Sequence, residues 1–143
     1  MAIEIRILQQ GDRAVLNRVA AGVFDNPVDA RLADEFLGDP RHHIVVAIED
    51  GVVVGFASGV HYVHPDKAPE LFINEVGVAP SHHRQGLGKA VVTSLLEIGR
   101  HLGCREAWVL TDRENAAGMA LYASAGGEEA IDPSIMFNFP LNR

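Results

Sequence analysis

The residues most suited to chemistry lie in one run, Glu75-Val76-Gly77-Val78-Ala79-Pro80-Ser81-His82-His83-Arg84-Gln85-Gly86-Leu87-Gly88-Lys89-Ala90. It reads as a strand, a tight basic loop with two glycines, and a helix start. A helix start presents unpaired backbone N–H groups and a positive dipole end. Such a point suits a phosphate or pyrophosphate. Gly86 and Gly88 lack a Cβ, so an anion can approach the main chain closely. Arg84 and Lys89 add positive charge beside it. Two other phosphate loops do not fit. A Walker A loop ending at Gly88-Lys89 needs glycine where His83 stands and Ser or Thr where Ala90 stands. A dinucleotide fingerprint from Gly86 needs glycine where Val91 stands, and it follows the first strand of a βαβ unit, not a fourth.

The charge distribution agrees with an anion site. The 143 residues carry 12 basic and 19 acidic groups, a net charge of −7. Residues 81–105 reverse the sign, with Arg84, Lys89, Arg100 and Arg105 against Glu97 alone. An acidic chain with one short basic segment does not favour nonspecific nucleic-acid binding. The single Cys104 excludes an internal disulfide and fits a reducing cytoplasm. No signal peptide and no membrane span are visible, so neither a membrane nor a nucleic acid is an expected partner.

These residues need a scaffold, and the hydrophobic pattern predicts one. Ile3 to Leu8 alternates as a strand. A helix is expected from Asp12, with Val15, Leu16, Val19, Ala20 and Val23 on one face. A second is expected from Asn26-Pro27, with Val28, Leu32 and Phe36 inward and a stop at Gly38. Asp50-Gly51 predicts a hairpin between Ile44–Ile48 and Val52–Tyr62. Leu71–Val78 reads as a strand and Gly86–Leu102 as a helix with a Leu87, Val91, Leu95, Ile98, Leu102 stripe. A strand over 106–111, a helix over 115–125, and one or two strands within Glu128–Leu141 complete the chain. The expectation is a single domain over residues 1–143. Its class is α/β (α+β), with a mixed, mostly antiparallel sheet, helices on both faces and the order β-α-α-β-β-β-α-β-α-β(β).

The strings Val76-Gly77-Val78-Ala79-Pro80 and HRQGLGKA at 83–90 resemble the acyl-CoA pyrophosphate loop of the GNAT superfamily of acetyl-CoA-dependent N-acetyltransferases. Asn115, Ala120-Leu121-Tyr122 and Gly126-Gly127 resemble that family's second coenzyme helix and its exit. Glu70–Gly88 and ALYASAGG at 120–127 look most like aminoglycoside acetyltransferases that modify the deoxystreptamine ring. One departure is His83, where the family usually carries Gln or Arg; the main-chain cradle does not depend on it.

The resemblance implies that the strand splays at Val76–Val78 and that its main chain pairs with pantetheine. The Val76 N–H becomes the oxyanion donor. His83, Arg84, Gln85, Gly86, Leu87, Gly88 and Lys89 form the coenzyme loop, with Asn115 and Tyr122 near pantetheine. Tyr122 would supply the proton for the leaving thiolate. A protonated amine must also lose a proton. At pH 7 an amine of pKa about 10.4 is only about 0.04% neutral, a cost of about 4.6 kcal/mol. Glu75 is the first candidate to accept that proton, Glu70 the second, and water a third route. Cys104 reads as a small packed thiol, not a nucleophile. The adjacent or opposed histidines His42-His43, His61, His64 and His82-His83 suggest no metal site.

The expected activity is transfer of acetyl from acetyl-CoA to a primary amine in a ternary complex, in the cytoplasm and with no metal. The acidic remainder of the chain favours a cationic acceptor such as an aminoglycoside, polyamine or lysine side chain. Asp29, Asp34, Glu35, Asp66, Glu70 and Asp132 are candidates for its wall, and His61, Tyr62 and His64 could line it. A homodimer is compatible with the sequence. The rival reading is a noncatalytic acyl-CoA-binding or sensor module, which would have no need of Glu75 and Tyr122.

Overall fold

The computed structural model describes residues 2–142. Five strands form one sheet in the order β1 (Glu4–Ile7), β2 (His42–Glu49), β3 (Val52–Tyr62), β4 (Glu70–Val78) and β5 (Glu106–Val109). The first three pairings are antiparallel and β4–β5 is parallel. The β2–β3 turn forms as expected, with Asp50 and Gly51 both at positive φ. Helix α2 (Leu87–His101) covers one sheet face, burying Leu87, Val91, Val92 and Leu95 against Val45, Ala47, Ala57, Leu71 and Ile73. On the other face, α1 (Ala30–Gly38) and the residues before it pack Leu16, Val23, Ala33 and Leu37 against Ile44, Val46 and Phe56. Helix α3 (Ala116–Ser124) sets Leu121 against Gly88 at the start of α2. The mixed, mostly antiparallel sheet with helices on both faces is therefore the fold the sequence implied.

Three expectations change. The helix expected from Asp12 is a single 3-10 turn, Arg13–Asn17. Beyond it the main chain pairs with β3 instead: Val53 donates to the Arg18 carbonyl and Ala20 donates to the Val53 carbonyl, both at 2.9 Å. The apolar residues thus reach the core without a helix, and Gly22 at φ 83° turns the chain. Helix α1 starts at Ala30 rather than at Pro27. Its cap is Asp29, whose Oδ1 accepts the Leu32 N–H at 2.9 Å, satisfying an otherwise orphaned donor. Ala33 and Leu37 are its buried residues; Phe36 and, before the helix, Val28 pack half-buried against the core as expected, whereas Leu32 is exposed. Finally, residues 128–142 form no strand, so the β(β) ending does not appear among the described residues. Alternating apolar residues are not enough for a strand, because the ladder needs a partner.

One irregularity governs the site. Ser58 pairs with Glu75, but Gly59 pairs with Ile73, so Asn74 is an extra residue in β4. The bulge shifts the two-residue alternation by one. Leu71 and Ile73 face α2 and are buried. Glu75, which would follow them into that core in a regular strand, faces the α1 side instead.

Candidate active site

Strands β4 and β5 stay paired only from Glu70–Glu106 to Ile73–Val109. Past the bulge they part, and β4 continues alone on that side through Val78. The antiparallel ladder to β3 fixes which way its main chain points. Ala79 N–H donates to the Val54 carbonyl at 2.8 Å. Hydrogen-bonded pairs alternate, so Gly77 and Glu75 are the residues bonded to β3. The N–H and C=O groups of Val76 and Val78 therefore point into the gap. Val78 O already accepts a bond from His83 Nε2 at 3.0 Å.

At the end of this gap lies the loop before α2. Arg84 and Gly86 both adopt left-handed φ, 64° and 77°. The first hydrogen bond in the helical pattern runs from Ala90 N–H to the Gly86 carbonyl. Among the described residues, the N–H groups of Arg84, Gln85, Gly86, Leu87, Gly88 and Lys89 find no protein acceptor. That row of donors is the kind of cradle a pyrophosphate needs. Neither Arg84 nor Lys89 enters an ion pair among the described residues. The loop is anchored from behind. His82 Nε2 donates to Glu49 Oε1 at 3.0 Å, and Ser81 Oγ lies 2.8 Å from His82 Nδ1.

Tyr122 lies on α3, half-buried against the core, and burial raises its phenol above the ordinary value. Asn115 caps α3, accepting the Gly118 N–H at 3.0 Å, while its Nδ2 reaches Thr111 Oγ1 at 3.3 Å.

Glu75 lines a cavity of about 320 Å³ on the α1 side of the sheet. Phe24, Leu32 and Phe36 supply apolar walls, and Asp25 and Asp29 bring the carboxylates around it to three. From α1, the exposed Leu32 and the half-buried Phe36, both expected to face inward, line this cavity. Asp25 is the residue the sequence reading missed. It stands beside Asn26-Pro27, and a carboxylate in the loop before a helix cap was the available signal. Of the expected acidic wall only Asp29 is here. Asp34 pairs with Arg13, Glu35 with Arg31 and Asp66 with Lys67.

Glu70 belongs to a separate cluster at the other end of β4. It accepts from Tyr62 Oη at 3.1 Å, and Tyr62 Oη in turn accepts from Trp108 Nε1 at 2.7 Å. His64 Nε2 lies 3.3 Å from Glu70 without hydrogen-bond geometry. His61 is on the α2 face, stacked on His43. None of His61, Tyr62 and His64 lines the acidic cavity. Cys104 is half-buried and its thiol is raised, mainly by burial.

The profile of the Acetyltransferase (GNAT) family matches residues 14–126. The chain belongs to the GNAT family. It is an N-acetyltransferase, and the noncatalytic alternative finds no support. Aminoglycoside N(6')-acetyltransferase type 1 of Salmonella typhimurium is 33% identical over 110 residues, covering 73% of this chain and 76% of that protein. It is named for the 6' nitrogen, not for the deoxystreptamine ring to which the sequence strings pointed. The structure of aminoglycoside N-acetyltransferase AAC(6')-Iy in complex with CoA is 26% identical and superposes with a TM-score of 0.73, over 96% of this chain and 95% of that one. A soil-metagenome aminoglycoside acetyltransferase, HMB0005, has the same fold at a TM-score of 0.79 and 21% identity, over 99% and 100% of the chains. Acetyltransferases of this family use acetyl-CoA. No helix among the described residues is long and apolar enough to cross a membrane.

Proposed function

We propose that residues 1–143 are one catalytic domain that acetylates a primary amine of a polycationic small molecule, of the aminoglycoside kind, in the cytoplasm. The observation that carries this is the position of the outward-facing Val76–Val78 main chain, between a row of free N–H donors and a cavity lined by three carboxylates. One side suits an anion and the other a cation.

In this reading the N–H groups of residues 84–89 hold the pyrophosphate of acetyl-CoA, with Arg84 and Lys89 beside them. Val76 and Val78 pair with the pantetheine arm, and His83 must release the Val78 carbonyl for that. Gln85 and Leu87 shape the loop, and the Asn115 amide adds a polar contact from α3. Asp25 and Asp29 draw the cationic acceptor in. Glu75 takes the ammonium proton, directly or through water, which offsets the roughly 4.6 kcal/mol cost of a neutral amine. The nitrogen attacks the thioester carbon, and Val76 N–H donates to the oxygen as it becomes negative. The C–S bond breaks as Tyr122 Oη delivers its proton to the sulfur; the amide forms as the nitrogen loses its second proton, which passes through water to restore the phenol. Glu70 is a poorer base here, since Tyr62, His64 and Arg105 already surround it.

The test is thiol release with a panel of amines at rising ionic strength. For a polycation, kcat/KM falls as salt rises, because screening acts over about 8 Å at physiological strength. An amine of similar size without further positive charge shows little change. A neutral or anionic compound as best acceptor overturns the polycation assignment.

A further inference from the structure

One buried hydroxyl serves no purpose in the fold. Ser58 is 6% exposed and is the single buried polar side chain among the described residues. Its neighbours Phe56 and Ala57 are buried and apolar. A buried hydroxyl normally has a hydrogen-bond partner, because leaving water without one is costly. The other polar side chains of β3, His61 and Tyr62, each make a hydrogen bond to another side chain, whereas that of Ser58 makes none among the described residues.

The sheet fixes where this hydroxyl stands. Ser58 lies between Ile44 of β2 and Glu75 of β4, and all three line the acidic cavity. The next residue, Gly59, stands opposite the bulge, where a Cβ would lie 2.7 Å from the Phe72 carbonyl oxygen. Strand β4 closes on β3 here because Gly59 has no side chain. Asp25, Asp29 and Glu75 are exposed, whereas Ser58, Ile44 and Phe56 are buried. The cavity is graded, with charge at its mouth and one neutral hydroxyl among apolar side chains at its floor.

A lone hydroxyl does not hold a buried ammonium, which needs an opposite charge. It does pair with another hydroxyl, since each can donate one bond and accept others. We propose that Ser58 reads a hydroxyl of the acceptor, so that the enzyme prefers a hydroxylated polycation over an alkyl polyamine that carries amines alone. This rests on the reading of the cavity as the acceptor site. The ammonium groups of the acceptor stay with the three carboxylates, and its hydroxyl takes the floor. An alkyl polyamine sets a methylene chain against Ser58 and leaves the serine hydroxyl unpaired. A site built to bond a hydroxyl rejects a ligand lacking it for that reason.

The test measures thiol release with kanamycin B, which carries amines and hydroxyls, and with spermidine, which carries amines alone. Wild type should favour kanamycin B in kcat/KM. Ser58→Ala should lose about 10- to 100-fold with kanamycin B, mostly through KM, and little with spermidine. Ser58→Thr, which keeps the hydroxyl and suits a strand, should retain the preference. The Tm of Ser58→Ala should be no lower than that of wild type, since the hydroxyl it removes bonds to nothing in the fold. Its acetyl-CoA affinity by calorimetry should be unchanged. An unchanged ratio between the two acceptors in Ser58→Ala, or a lower Tm, overturns the proposal. A wild type that favours spermidine overturns it too, while the polycation reading stands. Acetylation of neither compound removes the polycation reading and this one with it.

Discussion

Substituting Gly77 with alanine should damage stability and turnover together. A Cβ at this position would lie 2.2 Å from the Val23 carbonyl oxygen and 2.9 Å from Phe56 Cε1. Ordinary contact begins at about 3.4 Å, so backbone must move by about 1 Å, because the nearest atom is main chain and not the end of a flexible side chain. Two backbones compete for that displacement, the 18–24 segment held to β3 and β4 itself. Overpacking of this kind costs about 1–3 kcal/mol, or about 3–10 °C in Tm for a chain of this size. Movement of β4 would also carry Val76 off its position, and a misplacement of about 1 Å can cost about 10²-fold in rate. Scanning fluorimetry and steady-state turnover on the same preparation measure both. If Gly77→Ala melts within a degree of wild type and turns over normally, the main chain of Val23 does not brace β4.

The proposed coenzyme cradle is mainly backbone, so Gly86→Val, which forces a β-branched residue into φ 77°, should weaken acetyl-CoA binding by calorimetry about tenfold or more, and more than His83→Ala does. Tyr122→Phe should lower kcat by about 10- to 100-fold with coenzyme affinity nearly unchanged, since it removes a leaving-group proton only. Glu75→Gln should lose about 10²-fold at neutral pH and recover as pH rises toward the amine pKa; a pH–rate profile parallel to wild type would move the base role to water. Burial, with the neighbouring His61 and His42 adding to it, depresses His43 from 6.5 to about 4. The unfolded chain therefore takes up a proton that the folded state refuses. His43 contributes its stability above pH 6.5 and loses it between pH 6.5 and about 4, so Tm should fall through that window, and His43→Gln should flatten the decline.

The strands β2, β3 and β4 and the helix α2 were legible because each carries a local signal: the Asp50-Gly51 turn, the two-residue alternation, the apolar stripe from Leu87. The left-handed turn at Arg84 and Gly86, proposed to cradle phosphate, was legible as a pattern of glycines and cations. Other features depend on partners distant in sequence. The Arg18–Ala20 pairing with Val53 overrides a helical spacing, and Asp29 outcompetes Asn26-Pro27 as a cap. The bulge at Asn74 leaves no mark in the hydrophobic pattern. Without it, Glu75 would alternate into the α2 core, so its aim into the acidic cavity could be assigned only by resemblance. Asp25 escaped notice because its one local signal, a place beside Asn26-Pro27, is shared by solvated loop carboxylates.

The half-period shift at Asn74 divides the labour of one strand. Upstream, Leu71 and Ile73 are committed to the α2 core; downstream, in the proposed reaction, the main chain of Val76 and Val78 serves the coenzyme and the Glu75 side chain the acceptor. The cavity that Glu75 lines takes most of its wall from the stretch between Phe24 and Phe36, with Leu16, Ile44, Phe56 and Ser58 completing it, and that stretch is separate from the 84–89 loop. In the proposed reaction, acceptor preference and coenzyme use are therefore separable inheritances. Exchange of the 24–37 segment between relatives would transplant choice of amine while leaving the acyl donor untouched, whereas a one-residue insertion or deletion in β4 would abolish both at once.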